Sequence, residues 1–266
     1  MSTIKTAIIT SCYNVNSELL NKHFFSIKMQ VKDEIDSVLH IVVDDCSTLN
    51  STKETLCYHA LDNKEHTVLI SKKENSGPGA TRNRAIEIIK KIPSIEYICL
   101  LDADDYFEKD SLLMRKLFLQ ANSQYIAVYG DKYTAKYENK FDIIDNKDIF
   151  TEISKTPEIS PEYNKARLFR ECYIPSCSVM FRAKPFLENI KSFREDVRLC
   201  EDWLIWRKLA LLGDFKKLNM PIYTQTLHGN NLTTNINVLN NHYRDMVTTQ
   251  TDLDNWILEN SDKVKL

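Results

Sequence analysis

Short β-branched runs alternate with amphipathic segments through the first half of the chain, and no other feature limits the fold so strongly. Runs at 6–10, 39–43, 68–71, 97–101 and 126–129 read as strands. Between them, 17–31, 52–61, 80–91 and 111–122 carry helical spacing, as where Ala85, Ile86 and Ile89 share one side and Lys90 lies on another. This order predicts βαβ units and an α/β fold with a mainly parallel central sheet flanked by helices. Such a sheet holds its ligand beyond the carboxyl ends of its strands, so the loops there are the first place to look for chemistry.

The second half is less regular. From 132 to 163 the sequence turns polar, which predicts surface strands, a long loop or a flap rather than core. A strand at 177–182, a helix at 201–212 and a strand at 222–226 follow. Leu239, His242, Met246, Leu253, Trp256 and Ile257 then recur at helical spacing, predicting a helix over 238–258 that packs on the domain or on a partner. We divide the chain into a domain at 1–235, with a nucleotide-binding part at about 1–130 and an acceptor-binding part at about 131–235, and a helical tail at 236–266.

At 266 residues the chain suits one large α/β domain with a helical extension. Its 35 Lys and Arg nearly balance 37 Asp and Glu, which argues against nucleic acid as a partner. Seven cysteines, without Cys-x-x-Cys spacing, read as reduced thiols of a cytoplasmic protein. No leader-like start and no stretch of eighteen apolar residues is seen, so secretion and spanning are not expected. The tail helix keeps three partners open: the inner face of a membrane, another protein, or a second copy.

Four constellations carry the chemistry. Asp102-Ala103-Asp104-Asp105 places three carboxylates directly after the strongest strand, and such crowding favours a divalent cation, Mn²⁺ or Mg²⁺, with substrate phosphate in its shell. The same letters also suit a solvated helix-capping turn. Asp44-Asp45-Cys46-Ser47 ends another strand, where a carboxylate can accept a uracil N–H or hold ribose, and where a plain turn is the alternative. Asn75-Ser76-Gly77-Pro78-Gly79-Ala80-Thr81-Arg82-Asn83 opens a helix whose free N–H groups, with Arg82, suit a diphosphate. Glu201-Asp202-Trp203 opens a later helix, where acids are also favoured by the macrodipole alone.

Taken in order, 7–14 (Ala-Ile-Ile-Thr-Ser-Cys-Tyr-Asn), Asp44-Asp45, Asn75-x-Gly77 to Arg82-Asn83, Asp102-Ala-Asp104-Asp105 and Glu201-Asp202-Trp203 closely resemble the family 2 glycosyltransferases. The likeness covers roughly 4–130 well and 175–235 moderately. It departs in lacking a proline before Tyr13-Asn14 and in having Arg84-Ala85 after Arg82-Asn83. The resemblance implies a GT-A fold and an inverting, metal-dependent transfer of a hexosyl or N-acetylhexosaminyl group. By the same likeness Ser11, Tyr13, Asn14, Asp45, Gly77, Arg82, Asp102 and Ala103 would bind the nucleotide. Asp104 would hold the metal, with His228 and Asp105 as further candidate ligands. Asp202 would be the base, with Glu201 as a second candidate. Trp203, apolar and aromatic, suits either a platform for the acceptor sugar or a place in the core.

The expected donor is a nucleotide sugar, UDP-linked by preference because Asp45 suits uracil, and the expected acceptor is a hydroxyl of a saccharide or lipid-linked molecule. Surface polysaccharide synthesis is the pathway the resemblance suggests. The rival readings are a sugar-nucleotide nucleotidyltransferase, which should carry a glycine-rich basic first loop in place of Ser11-Cys12-Tyr13-Asn14, and a nucleotide-sugar or glycan-binding protein without turnover.

Overall fold

Strands with no polar face can only be central, and β1 (Thr6–Cys12), β2 (Val38–Asp44) and β4 (Tyr97–Leu100) are buried at nearly every position. β3 (Thr67–Ser71) is more open and lies at the edge. The computed structural model describes residues 4–30, 37–142, 147–229, 231 and 236–264. β1 runs parallel to both β2 and β4, and β2 parallel to β3, giving the order β3-β2-β1-β4. Helices α1 (Ser17–Lys28), α2 (Asn50–Asp62) and α3 (Gly77–Ile89) make the crossovers. The chain therefore changes direction of winding at β1, and a crevice opens between the carboxyl ends of β1 and β4.

Beyond β4 the sheet is mixed. It continues β4-β8-β6-β9-β5, with β5 at Tyr106–Phe107, β6 at Tyr125–Asp142, β8 at Met180–Arg182 and β9 at Asp214–Leu227. β8 is antiparallel to β4 and β6, whereas β6 and β9 run parallel. Every pairing among β1 to β4 is thus parallel, whereas the rest of the sheet mixes both directions. α4 (Ser111–Ala121) and α5 (Glu201–Leu212) cover the sheet. The elements at 39–43, 97–101, 111–122 and 201–212 match their expected places closely, because burial and helical period agree there.

The polar stretch after residue 132 forms surface strands. From Lys132 to Asp142, β6 pairs antiparallel with β7 (Lys147–Glu158). Its polar letters are used across the ladder: Lys132 pairs with Glu158 at 3.3 Å, and the Tyr137 hydroxyl donates to Glu152 at 2.8 Å. β9 begins at Asp214 rather than 222. Pro221 lies where the β6–β9 register shifts, and an irregularity of this kind tolerates a residue with no N–H. The strand expected at 177–182 starts as a 3₁₀ turn at Ser176–Ser178.

The tail forms two helices, Ile236–Leu239 and α6 (His242–Glu259), divided at Asn240-Asn241, residues whose amides compete for backbone hydrogen bonds. α6 buries Leu253 and Trp256 in the main core. Asp252 meets Lys208 and, at 2.8 Å, Arg194, and the Trp256 indole donates to Asn189 O at 3.0 Å. Among the described residues no helix is long and apolar enough to cross a membrane.

Gly79 in α3 lies directly against the backbone of Arg194, so that a Cβ there would overlap the Arg194 carbonyl. Gly79→Ala is expected to cost about 1–3 kcal/mol through displacement of backbone rather than of a flexible side chain. Denaturant unfolding of that variant checks the contact.

Candidate active site

The loops at the carboxyl ends of β1, β2 and β4 line one cleft of about 670 Å³, whose walls include Ser11, Tyr13, Asp45, Gly77, Arg82, Asp102, Asp104, Asp105, Glu201 and Asp202. Residues from distant parts of the chain thus converge as the motifs require. Leu101 N donates to Ile9 O, and Ala103 N to Ser11 O, so the acidic loop is laid along the end of β1. Ala103 itself is buried. Asn14, at φ 51°, uses its side chain to hold the opposite loop: its Oδ1 accepts from Thr48 N at 2.7 Å and Leu49 N at 3.1 Å.

The three adjacent acids have different surroundings. Asp105 is buried and accepts from Thr226 N at 2.9 Å, which ties the loop to β9. Burial, then the charges of Asp104 and Asp102, push its carboxyl well above the usual range. Asp104 accepts from His228 Nε2 at 3.0 Å and Asn231 Nδ2 at 3.3 Å. Asp102 is the most open, with its side chain 37% exposed, and meets Arg82 at 3.2 Å. Oxygens of Asp102 and Asp105 lie with the Cys177 sulfur within 4.8 Å of one another. Burial holds the Cys177 thiol far above its ordinary pKa, so the carboxylates, not the sulfur, are the donors a hard cation would find there. Crowded carboxylates whose mutual repulsion a cation would relieve, with an imidazole alongside, fit Mn²⁺ or Mg²⁺.

Behind the acids lies a buried neutral pair. His23 Nδ1 donates to Asp105 O at 2.9 Å, while Thr10 Oγ1 lies 3.1 Å from His23 Nε2 and 2.9 Å from His40 Nε2. Burial lowers His23 to about 4 and His40 well below its ordinary value, so both rings brace the loop without adding charge.

Arg82 joins the Asp102 loop to the start of α5. It is buried, bonds Glu201 through one nitrogen and Asp102 through another. Burial alone would lower its pKa, but Glu201, Asp102 and Asp202 together raise it. Burial pushes Glu201 up to about 7 against the pull of Arg82, and it raises Asp202 as well. Glu201 is held in the ion pair, whereas Asp202 is half-buried in the cleft wall and accepts from Trp203 N at 2.7 Å.

Two sequence expectations need correction. Trp203 is not a platform in the cleft: it is 5% exposed, packs in the main core under Arg207, and its indole donates to Leu168 O at 2.6 Å. The helix start at Gly77 does not offer its leading N–H groups to a ligand, because Asp45 already accepts from Ser76 N at 3.0 Å and Gly77 N at 2.8 Å. Lys72 also pairs with Asp45, at 2.6 Å.

Sequence reading missed part of the far wall. Arg198, Val238, Leu239 and His242 line the cleft, so the tail contributes to it directly. An arginine three residues before Glu201 and a helical repeat were legible, but neither says which way the chain folds back.

A cleft with converging carboxylates at the switch point of an α/β sheet, closed by a mixed sheet on the far side, is the architecture of GT-A glycosyltransferases. Residues 7–188 match the family described as glycosyl transferase family 2, and the chain belongs to that family. It is 28% identical to the poly(ribitol-phosphate) beta-glucosyltransferase of Bacillus spizizenii over 223 residues, covering 80% of this chain and 31% of that protein. Among solved structures it is similar to S. aureus TarS 1-349 in complex with UDP-GlcNAc, with a TM-score of 0.64, 21% identity, and coverage of 85% of this chain and 60% of that one. The mannosyltransferase PcManGT from Pyrobaculum calidifontis, in complex with GDP-Man and Mn²⁺, gives 0.58 and 17%, with coverage of 85% and 57%. The chain therefore spans less than two thirds of these relatives' lengths, and the two structural likenesses establish the fold.

Proposed function

We propose that the protein transfers a sugar from a nucleoside-diphosphate donor, UDP-linked by preference, to a hydroxyl of a saccharide or lipid-linked acceptor, with inversion, in surface polysaccharide synthesis. The observation that carries this reading is the meeting of Asp102, Asp104 and Asp202 in one cleft. The names of the relatives support it, one acting on poly(ribitol phosphate) and another binding UDP-GlcNAc.

In this reading Asp45 and the Ser11–Asn14 loop receive the base, while Asp102 faces the ribose. Asp104, with His228 and Asp105 near it, would hold Mn²⁺ or Mg²⁺, which supplies positive charge to the departing diphosphate. Asp202 takes the proton from the acceptor hydroxyl at its Oδ as the oxygen attacks the anomeric carbon from the face opposite the diphosphate. One base and one displacement give inversion. Burial raises the pKa of Asp202, against the opposing pull of Arg82, and so strengthens it as a proton acceptor.

A binder of the folded state raises the melting temperature. UDP with Mn²⁺ is expected to stabilise the wild type by several degrees, and Asp104→Asn to lose most of that shift. An equal shift in the variant would remove Asp104 from the metal site.

A further inference from the structure

We propose that Arg198 is the cation that receives the donor's diphosphate, and that the buried carboxylate of Asp245 on α6 is its positioning residue. The inference rests on the glycosyltransferase reading above. A diphosphate needs positive charge that is not already neutralised. Arg82 does not supply it, lying between Glu201 and Asp102. Lys72 does not either, being paired with Asp45. Arg198 lines the same cleft and is exposed, and among the described residues it has no carboxylate partner.

Its head group is nevertheless fixed. Arg198 Nη1 donates to Asn75 Oδ1 at 3.1 Å. The guanidinium also lies over Gly77, whose φ of +90° is what calls for glycine there. A neutral contact on one nitrogen leaves the charge and most of the guanidinium fork for phosphate oxygens. Because Asn75 and Gly77 belong to the donor-side turn beside Asp45, the phosphates it faces are the donor's.

The backbone behind it is held from the tail. Asp245 is fully buried, and its Oδ2 accepts from Arg198 N at 2.9 Å and Leu199 N at 3.1 Å. The next residue, Cys200, takes φ 68° and turns the chain into α5, which starts with Glu201 and Asp202. One carboxylate on α6 therefore fixes a loop that presents Arg198 at one end and the acid pair at the other.

Calorimetric titration in Mn²⁺ with UDP, UMP and uridine tests this on wild type, Arg198→Ala, Arg198→Lys and Asp245→Ala. Should the wild type prefer dTDP or GDP, the ladder of that base replaces it. Arg198→Ala, at an exposed position, is expected to weaken the diphosphate by roughly ten- to a hundredfold and to leave the nucleoside unchanged, with Lys recovering part of the loss. Asp245→Ala, which removes the acceptor of both amides, should show the same selectivity for the diphosphate; a merely structural Asp245 would weaken all three ligands alike. Unchanged diphosphate binding in Arg198→Ala overturns the proposal, including the case where only the acceptor KM rises. A wild type that binds no nucleoside diphosphate defeats the parent reading instead, and is recognised before any variant is compared.

Discussion

Asp202→Asn is expected to bind UDP and Mn²⁺ as the wild type does and to lower sugar transfer by roughly a thousandfold, within the range by which a positioned general base accelerates proton transfer. The amide keeps the shape of the side chain and the bond from Trp203 N, but it cannot take a proton. Glu201 cannot replace it, because its carboxylate is held by Arg82 on the buried side of the helix start. Transfer at the wild-type rate would assign the base elsewhere, and a parallel loss of UDP binding would mean that Asp202 shapes the donor site instead.

Arg82→Met should cause the largest loss of stability of any substitution in the cleft. The residue is 3% exposed and its side chain bonds both Glu201 and Asp102, so its removal leaves a buried carboxylate without its counter-charge. Breaking such a pair from one side costs about 3–5 kcal/mol. The loss should be greatest above pH 7 and shrink in acid, because Glu201, pushed up to about 7 from 4.5, is then protonated and needs no partner. The same shift fixes the sign for the wild type. A carboxyl with a raised folded-state pKa contributes stability that is fully present below about 4.5 and is lost as pH rises through about 7. Glu201→Gln is expected to flatten that part of the stability profile. Melting curves of the three proteins from pH 5 to pH 8 check both statements; a wild-type slope of the opposite sign contradicts them.

The parts of this molecule that were legible in sequence are those fixed by local rules. β1, β2 and β4 announce themselves by continuous burial, and the acids that follow them must emerge at the carboxyl ends of parallel strands. Hence Asp45, Asp102 and Asp104 fall into one cleft, where Asp202, from the start of α5, meets them. What failed depended on partners far along the chain. The N–H groups of Ser76 and Gly77 look free until Asp45 is found to occupy them. Trp203 follows Asp202 directly, but successive residues on a helix face different ways, and the indole turns to Leu168 in the core. The tail repeat gave a helix without saying that Asp245 would reach back to the Arg198 amide, or that Leu239 and His242 would line the cleft.

The most direct test of the central claim is release of nucleoside diphosphate from UDP-sugars by the purified protein, measured with Mn²⁺, with EDTA, and with Asp104→Asn. The converging acids predict release that depends on the added cation and nearly disappears in the variant. Release at the same rate in EDTA, or in Asp104→Asn with Mn²⁺, would contradict the account.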